Sequence, residues 1–400
     1  MNICFCSQEY PPDTHVGGIG TYTYNMAGAL AALGHNVHVI TSTPWEDRDY
    51  SENQVTVHRI RYRSFRPLEL SRLNYAHRVA SRLKQTGCTF DIIQASEYAS
   101  EGFWLSLFGK TPFVTRLATP SFLIEKLNGK SFASRRLFCD VMEKQQTLRS
   151  AAIYASTKAL AAAVAEGWGI EKHRIDVFPN SVYISRIVTL GRNGALPENL
   201  RGVAYMLYFG RLEERKGVRV LADALPSIFE RFPDIHMLFV GSDLGYRGAP
   251  MQDYVRSKAG RYSVRLRFLD NLPHAKLLPI VNEAKLVILP SLWEAFGFVC
   301  VEAMALGRPV IASSGSGFEE IINDNVSGYL VEPGDWRALA DKIQHALRDE
   351  TGRTSIALAA EKRAQDFEVS RIAGRLADYF EQIRGRCSRQ GRSAEAGFVS

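Results

Sequence analysis

The chain has 400 residues, 46% hydrophobic and 23% charged, with a formal net charge of +7. That is an ordinary soluble composition, and a single core stops growing at roughly 250–300 residues, so two domains are expected. The mild basic excess suits an anionic substrate, a membrane surface or nucleic acid and selects none of them; nucleic acid is disfavoured because no compact stretch interleaves basic residues with stacking aromatics.

Along the first half, strand-like and helix-like segments alternate. Met1 leads directly into the strand "NICFCS", with no charged n-region and apolar h-region, so no signal peptide is expected. A glycine-rich loop and the helix "TYTYNMAGALAALG" follow, with Gly34 as C-cap. Next come strands "NVHVIT" and "QVTVHRI", a helix over Leu70–Lys84, strands "DIIQAS" and "PFVTRL", a helical region over Ser134–Arg149, strand "AAIYAS", a helix from Thr157, and "RIDVFPNSV". Such alternation predicts a parallel sheet covered on both faces. Residues 181–201 have poor helical periodicity and carry Gly, Pro and Asn, which predicts a linker between an N-terminal domain over 1–180 and a C-terminal one over 202–383.

A second alternation begins at "VAYMLYFG" and runs through a helix from Val218, "IHMLFVG", a helix near Gln252–Lys258, "VRLRFL", a helix from His274, and "KLVILPS". It continues with "RPVIAS", a short helix at Glu319–Ile322, "GYLVEPGD", and helices from Trp336 onward; the polar tail 384–400 is expected to fray. The fold class is therefore α/β, two Rossmann-like doubly wound domains facing each other across a cleft, with ligands at the carboxyl ends of the strands. No run approaches the ~18 apolar residues of a membrane span. Cys4, Cys6, Cys88, Cys139, Cys300 and Cys387 form no CxxC pair. Neither structural zinc nor a disulfide framework is expected, and a cytoplasmic location is.

Three segments fall at strand ends. In "WEAFGFVCVE", Glu294 follows a buried strand, Gly297 opens a helix, and Glu302 lies on that helix. A helix start offers unpaired N–H groups and a positive dipole end, which suits a phosphate. Carboxylates accept from hydroxyl pairs, as sugars and riboses offer. The layout reads as a nucleotide-sugar site; Glu294 as a helix cap with Glu302 on the surface is an equally open reading. "GRLEERKG" brings Arg211 and Lys216 to the end of another strand, where they could stabilise a departing diphosphate or form a solvated basic turn. "GGIG", Gly17–Gly20, follows the first strand and lets backbone N–H groups approach a phosphate, yet Thr23 breaks the dinucleotide G-x-G-x-x-G register.

Together these segments resemble the family 4 retaining glycosyltransferases of the GT-B fold. The likeness covers nearly the whole chain through "EYPPDTHVGGIGTYTYNMAGALAALGHNVHVIT", "GRLEERKG", "PSLWEAFGFVCVEAMALGRPVIAS" and "GSGFEEIINDNVSGYLVEPGD". It implies transfer of a sugar from a nucleoside-diphosphate sugar to a hydroxyl acceptor with retention, in polysaccharide, glycolipid or other glycoconjugate synthesis. Carried over by position, Arg211 and Lys216 contact the diphosphate, Glu294 the donor sugar and Glu302 the ribose. Gly210 and the backbone of Gly297, Phe298 and Val299 complete the donor site, and Gly17 and Gly18 form the facing loop. In the front-face mechanism proposed for such enzymes the donor phosphate takes the acceptor's proton, so no protein nucleophile is needed. The resemblance implies neither a metal nor another cofactor. The segment "FLDNLPHAKL" is expected to pack near the base.

Two departures stand out. Many relatives carry a histidine after the fifth strand of the first domain; here the aligned residue is Ala118, with Arg116 close by, a poor proton shuttle. Ser316 replaces a glycine and is expected to change little. "DRD", Asp47–Asp49, reads as a solvated acidic loop rather than a metal site, and His15 as a loop histidine, with reach to the acceptor as its second reading. Residues 58–84 carry eight Lys/Arg and one acid, Glu69. Arg59, Arg61 and Arg63 share a strand face, Arg78 and Arg82 a helix face, and Leu73, Ala80 and Leu83 an apolar stripe. This reads either as a solvated face or as contact with an anionic, lipid-linked acceptor at the inner membrane surface. Two rival activities remain open: a nucleotide-sugar epimerase of the same architecture, and a silent nucleotide-sugar-binding module.

Overall fold

The computed structural model describes residues 1–14, 17–127 and 134–396. Contacts divide the chain into two units: Met1–Ser181 with Val369–Ser400, and Val182–Glu368.

The first unit opens with β1 (Asn2–Cys6), α1 (Gly18–Ala32), β2 (Asn36–Thr43), β3 (Arg48–Glu52), β4 (Val55–Arg61) and α2 (Leu68–Gln85). It continues with β5 (Ile92–Ser96), α3 (Phe103–Phe108), β6 (Phe113–Leu117), α4 (Ser121–Leu127), α5 (Ser134–Leu148), β7 (Ala152–Ala155), α6 (Lys158–Trp168) and β8 (Ile175–Val177). The sheet order is β3-β4-β2-β1-β5-β6-β7-β8, parallel except for the antiparallel β3–β4 pair. The order reverses direction at β1, so the carboxyl ends of β1 and β5 form the switch point where open α/β sheets bind ligands.

The second unit comprises α7 (Ile184–Asn193), β9 (Tyr205–Phe209), α8 (Val218–Arg231), β10 (His236–Val240), α9 (Met251–Ala259), β11 (Leu266–Leu269) and α10 (His274–Glu283). Then come β12 (Leu286–Leu289), α11 (Phe298–Ala305), β13 (Val310–Ser313), β14 (Tyr329–Val331), α12 (Trp336–Arg348) and α13 (Glu350–Ala364). Its six-stranded parallel sheet runs β11-β10-β9-β12-β13-β14, with the switch point between β9 and β12. Strand alternation fills two cores. Tyr205, Leu207 and Phe209 pack on one face and Met206 and Tyr208 on the other, as a sheet sandwiched by helices requires. The chain then returns to the first unit as α14 (Val369–Ala396).

Several expectations need correcting. The 181–201 stretch is no linker: Ile184, Ile187 and Gly191 of α7 are buried, at a helical spacing. A Cβ at Gly191 would meet Leu306 at 2.4 Å, so glycine is what admits the close approach. The C-terminal domain does not extend to residue 383. Ile372, Leu376, Tyr379, Phe380 and Ile383 of α14 are buried, and Tyr379 donates to Asp176, 203 positions earlier, at 2.7 Å. The expected frayed tail is helical through Ala396; residues 397–400 and His15 lie outside the described residues. Among the described residues no helix is long and apolar enough to cross a membrane.

Half of the supposed basic face is internal or paired. β4 is sandwiched between β3 and β2, so Arg59 is fully buried. Its guanidinium donates to the carbonyls of Tyr10 (2.9 Å), Ser42 (3.1 Å) and Pro11, and to Tyr50 Oη (3.0 Å). Asp47 lies in an exposed loop, as expected, whereas Asp49 belongs to the edge strand β3; Arg78 reaches Asp47 at 3.6 Å and Arg82 pairs with Asp49. The residues α2 buries are Ser71, Tyr75, Ala76 and Val79. Removing a buried cation that satisfies several carbonyls and faces Asp13 is costly. We expect Arg59→Ala to lose about 3–5 kcal/mol in urea unfolding, and the exposed Arg63→Ala to stay within about 0.5 kcal/mol of wild type.

Candidate functional site

At the carboxyl edge of the second sheet three loops meet with almost no space between backbones. β9 ends in Gly210 at φ 143°, and a Cβ on neighbouring Gly241 would meet the Gly210 carbonyl oxygen at 2.1 Å. The turn Glu214–Lys216 then closes in Gly217 at φ 71°, where a Cβ would fall 1.7 Å from the Pro290 carbonyl oxygen at the end of β12. The Leu292 N–H donates to the Arg215 carbonyl at 2.8 Å, fastening the two loops. The third loop joins through Gly317, whose N–H donates to the Glu294 carbonyl at 2.9 Å.

This convergence sets the Lys216 ammonium on Glu294 Oε2. Both side chains are mostly buried. Burial pushes the Glu294 carboxyl up, but the charge of Lys216, then that of Arg215, the Lys216 hydrogen bond and finally Arg211 outweigh it, and the net shift is downward. Glu294 is therefore ionised at neutral pH. Glu213 accepts from Arg215 Nη2 at 2.8 Å and pairs with Arg211 at 3.1 Å, leaving Arg211 about half exposed, at 54%. Gly297, at φ 99°, starts α11 with no side-chain cap, and a Cβ there would meet the Phe318 ring at 2.4 Å. The first N–H groups of α11, on Phe298 and Val299, thus lack an intrahelical partner. Farther along α11, Glu302 is buried, its carboxyl raised by burial and partly offset by His274, whose Nε2 lies 3.4 Å away. Ser316 is buried, with its hydroxyl unpartnered.

Arg211, Lys216, Glu294 and the Gly297–Val299 backbone thus share one sheet edge, with Gly210 as the hinge of the first loop. The sequence reading missed Glu213 and Arg215, which hold that loop, and His274, which faces Glu302. Its signal was available: His274 opens a helix directly after β11, at the same edge. A cavity of about 540 Å³ opens beyond Leu212, lined by residues 243–250 and Gln252. Asp243 shapes it by accepting from the N–H groups of Gly245, Met251 and Gln252 at 2.8, 2.9 and 3.0 Å.

In the first unit, Gly17 caps α1, and its N–H donates to Glu9 Oε2 at 2.8 Å; Gly18 is the first helical residue. The anion at that helix start is the chain's own. Ala118 sits just past β6, its N–H on the buried Glu97 carboxyl. Arg116 is buried, with Nη2 on Asn180 Oδ1 at 2.7 Å and the guanidinium 3.8 Å from the centre of the Tyr22 ring.

Two doubly wound units, the second with paired cations and carboxylates at its switch point, define the GT-B class of glycosyltransferases. The comparisons agree. The signature described as Glycosyltransferase Family 4 matches residues 16–186, and that described as Glycosyl transferases group 1 matches residues 198–363. A phosphatidyl-myo-inositol mannosyltransferase of Mycobacterium leprae is 27% identical over 95% of this chain and 96% of its own. A D-inositol 3-phosphate glycosyltransferase of Corynebacterium urealyticum is 26% identical over 92% and 91%. Among solved structures, a sucrose-phosphate synthase of Thermosynechococcus elongatus superposes with a TM-score of 0.77 at 21% identity, over 96% of this chain and 99% of that one. Anabaena HepE in complex with UDP-glucose gives 0.70 at 23% identity, over 96% and 100%. The chain belongs to the family 4 glycosyltransferases, enzymes that move a sugar from a nucleotide sugar to an acceptor.

The geometry makes Gly217 a stringent position. A left-handed backbone costs an L side chain about 1–2 kcal/mol, and Gly202, at φ 71° with nothing within 4 Å, isolates that strain. We expect Gly217→Ala to lower unfolding stability at least about twice as much as Gly202→Ala, because it adds overlap with Pro290.

Proposed function

We propose that the second unit holds a nucleoside-diphosphate sugar at the Lys216–Glu294 corner, and that the first unit receives a hydroxyl acceptor, with retention at the anomeric carbon. The observation that carries this is the ionised Glu294 held by Lys216 beside an uncapped helix start. Arg211 and Lys216 meet the diphosphate, together with the N–H groups of Phe298 and Val299. Glu294 accepts from donor-sugar hydroxyls and Glu302 from the ribose. Gly210 keeps the cation loop in place.

In the reaction the bond from the anomeric carbon to the diphosphate oxygen breaks and the acceptor oxygen bonds on the same face. The acceptor's proton goes to the departing phosphate. The cations stabilise the charge that develops there, so no protein nucleophile is required. The same cations support a reaction without a resident metal, and Asp47 and Asp49 are engaged by Arg78 and Arg82. Two relatives are named for phosphatidyl-myo-inositol and for D-inositol 3-phosphate, which supports a polyhydroxylated, anionic or lipid-linked acceptor in glycoconjugate synthesis.

A turnover assay tests the site. UDP-, GDP- and ADP-hexoses are offered with EDTA present, against myo-inositol, myo-inositol 3-phosphate, phosphatidylinositol vesicles and glycogen. A charge-assisted hydrogen bond contributes ~1.5–3 kcal/mol, so Lys216→Ala, Arg211→Ala and Glu294→Ala should each lose about tenfold or more. Wild-type turnover in these variants would refute the assignment. A new sugar nucleotide formed without acceptor would make the protein an epimerase, and binding without turnover a silent module.

The membrane reading survives in narrower form. With Arg59 buried and Arg78 and Arg82 paired, Arg61, Arg63 and Arg66 are exposed beside exposed Phe65, Leu68 and Leu70, and Lys84 is exposed farther along α2. We assign this segment to peripheral contact with an anionic lipid surface. The protein should co-sediment with phosphatidylserine vesicles more than with phosphatidylcholine ones, and Arg63→Glu/Arg66→Glu should abolish the difference. Equal pelleting with both lipids would remove the idea.

A further inference from the structure

Three buried acids at the carboxyl edge of the first unit have no part in the reaction above. β5 ends at Ser96, and the chain folds back through Ala99 and Ser100, both left-handed, at φ 65° and 56°. Such a backbone costs L side chains about 1–2 kcal/mol per residue and persists only where its surroundings over-determine it. Here α5 does so. Gln146 Nε2 donates to the Ser96 carbonyl at 2.8 Å, Gln146 Oε1 accepts from Gly102 N–H at 3.0 Å, and Glu143 Oε1 accepts from Ala99 N–H at 3.3 Å.

The turn so held points the fully buried Glu97 at the next strand's loop. Its two carboxyl oxygens lie 2.9 and 2.7 Å from the Ala118 nitrogen. Glu143 takes the loop's other end, accepting from Ser121 N–H at 2.8 Å and Ser121 Oγ at 2.7 Å while paired with Arg72 at 2.9 Å. One buried carboxyl therefore grips each end of Ala118–Ser121. The loop lies at the strand ends where an open α/β sheet receives its ligand, and Ala118, Thr119 and Ser121 are its partly exposed positions. Fixing a surface loop does not by itself require two neighbouring buried acids, which are expensive to desolvate. Two such acids gripping both ends of one loop suit a rigid platform for a substrate.

We propose that Glu97 is a positioning residue for sugar transfer, holding the Ala118–Ser121 loop as the floor of the acceptor site with Glu143 as the second clamp. The inference rests on reading the first unit as the acceptor side. Glu97 faces Glu143 on α5, Arg116 on β6 and Glu101 in its own turn; Arg72 on α2 faces Glu143 and Glu101, and Glu9 faces Glu101. Burial first, and then Glu143, push Glu97 up to about 8. A carboxyl raised on folding stabilises the fold fully in acid, and that contribution is lost as pH rises through about 8. At neutral pH Glu97 is therefore protonated, and glutamine mimics it.

The experiment pairs two variants with two readouts. In hydrogen-exchange mass spectrometry, Glu97→Ala should speed exchange in peptides covering residues 113–123 and leave α8 unchanged. With whichever member of the acceptor panel takes sugar, Glu97→Ala should raise the acceptor KM about tenfold, with the nucleotide-sugar KM unchanged. Glu97→Gln should restore the acceptor KM toward wild type at pH 7 and abolish the wild-type loss of activity above pH 8. Unchanged exchange in Glu97→Ala overturns the proposal, and so does a Gln variant that keeps the alkaline loss. A wild type that transfers no sugar would instead overturn the proposed function, and exchange would still decide whether Glu97 fixes the loop.

Discussion

The ligand edge of the second unit depends on one backbone contact, the approach of Gly217 to the Pro290 carbonyl. That contact lets the turn after β9 lie on the loop after β12, and with the Arg215–Leu292 hydrogen bond it leaves Lys216 one place to go. The ammonium reaches Glu294, and the pair reconciles burial with charge. Either ion alone in that position would be desolvated at a cost of several kcal/mol; paired with Lys216, Glu294 is held below the usual carboxylate range despite its burial. Gly297 and Gly317 extend the same logic to the neighbouring backbone, each sitting where a Cβ would strike a ring or a carbonyl. The site is a packing solution before it is an electrostatic one.

The first unit places acids at the equivalent edge and treats them in the opposite way. Glu294 is lowered because cations outweigh its burial, whereas Glu97 and Glu101 are raised to about 8 because burial outweighs their hydrogen bonds. One edge thus presents charge suited to an anionic donor. The other presents neutral acids suited to holding backbone. This is the division of labour expected if one unit manages a leaving diphosphate and the other manages geometry.

The glycine-bearing motifs carried the second site in the sequence because each glycine there is forced by a contact or a left-handed φ. "GRLEERKG" therefore read correctly as a loop at a strand end and "EAFGFVCVE" as a strand-end turn in which Gly297 opens a helix, and the alternation of strands and helices gave the sheets. What escaped was information held by partners distant in the chain. His274 was legible only as the start of a helix after β11, with nothing to pair it with Glu302, and nothing near Ala118 announces Glu97. The 181–201 stretch looked irregular because its helix is short and flanked by Gly and Pro, while its buried face (Ile184, Ile187 and Gly191) is only three residues wide. The last helix was assigned to the wrong unit because an amphipathic pattern states that a face is buried and not against what.

Arg59 makes the same point in terms of charge. Alternation along a strand predicts which residues share a face, but whether that face meets solvent depends on what covers it. β4 acquires an edge neighbour, β3, from the acidic stretch that had looked like a loop, and β4 thereby becomes interior. Once inside, a guanidinium must find acceptors in a fixed fork, and it takes the carbonyls of Tyr10 and Pro11 on the segment leading to Gly17. The residue expected to meet an anionic partner at the surface is instead the anchor of the first unit's glycine loop. Asp47, just before β3, and Asp49, within it, pair with Arg78 and Arg82. Of the exposed basic residues left in this stretch, Arg61, Arg63 and Arg66 lie together, where exposed Phe65, Leu68 and Leu70 give them an apolar companion.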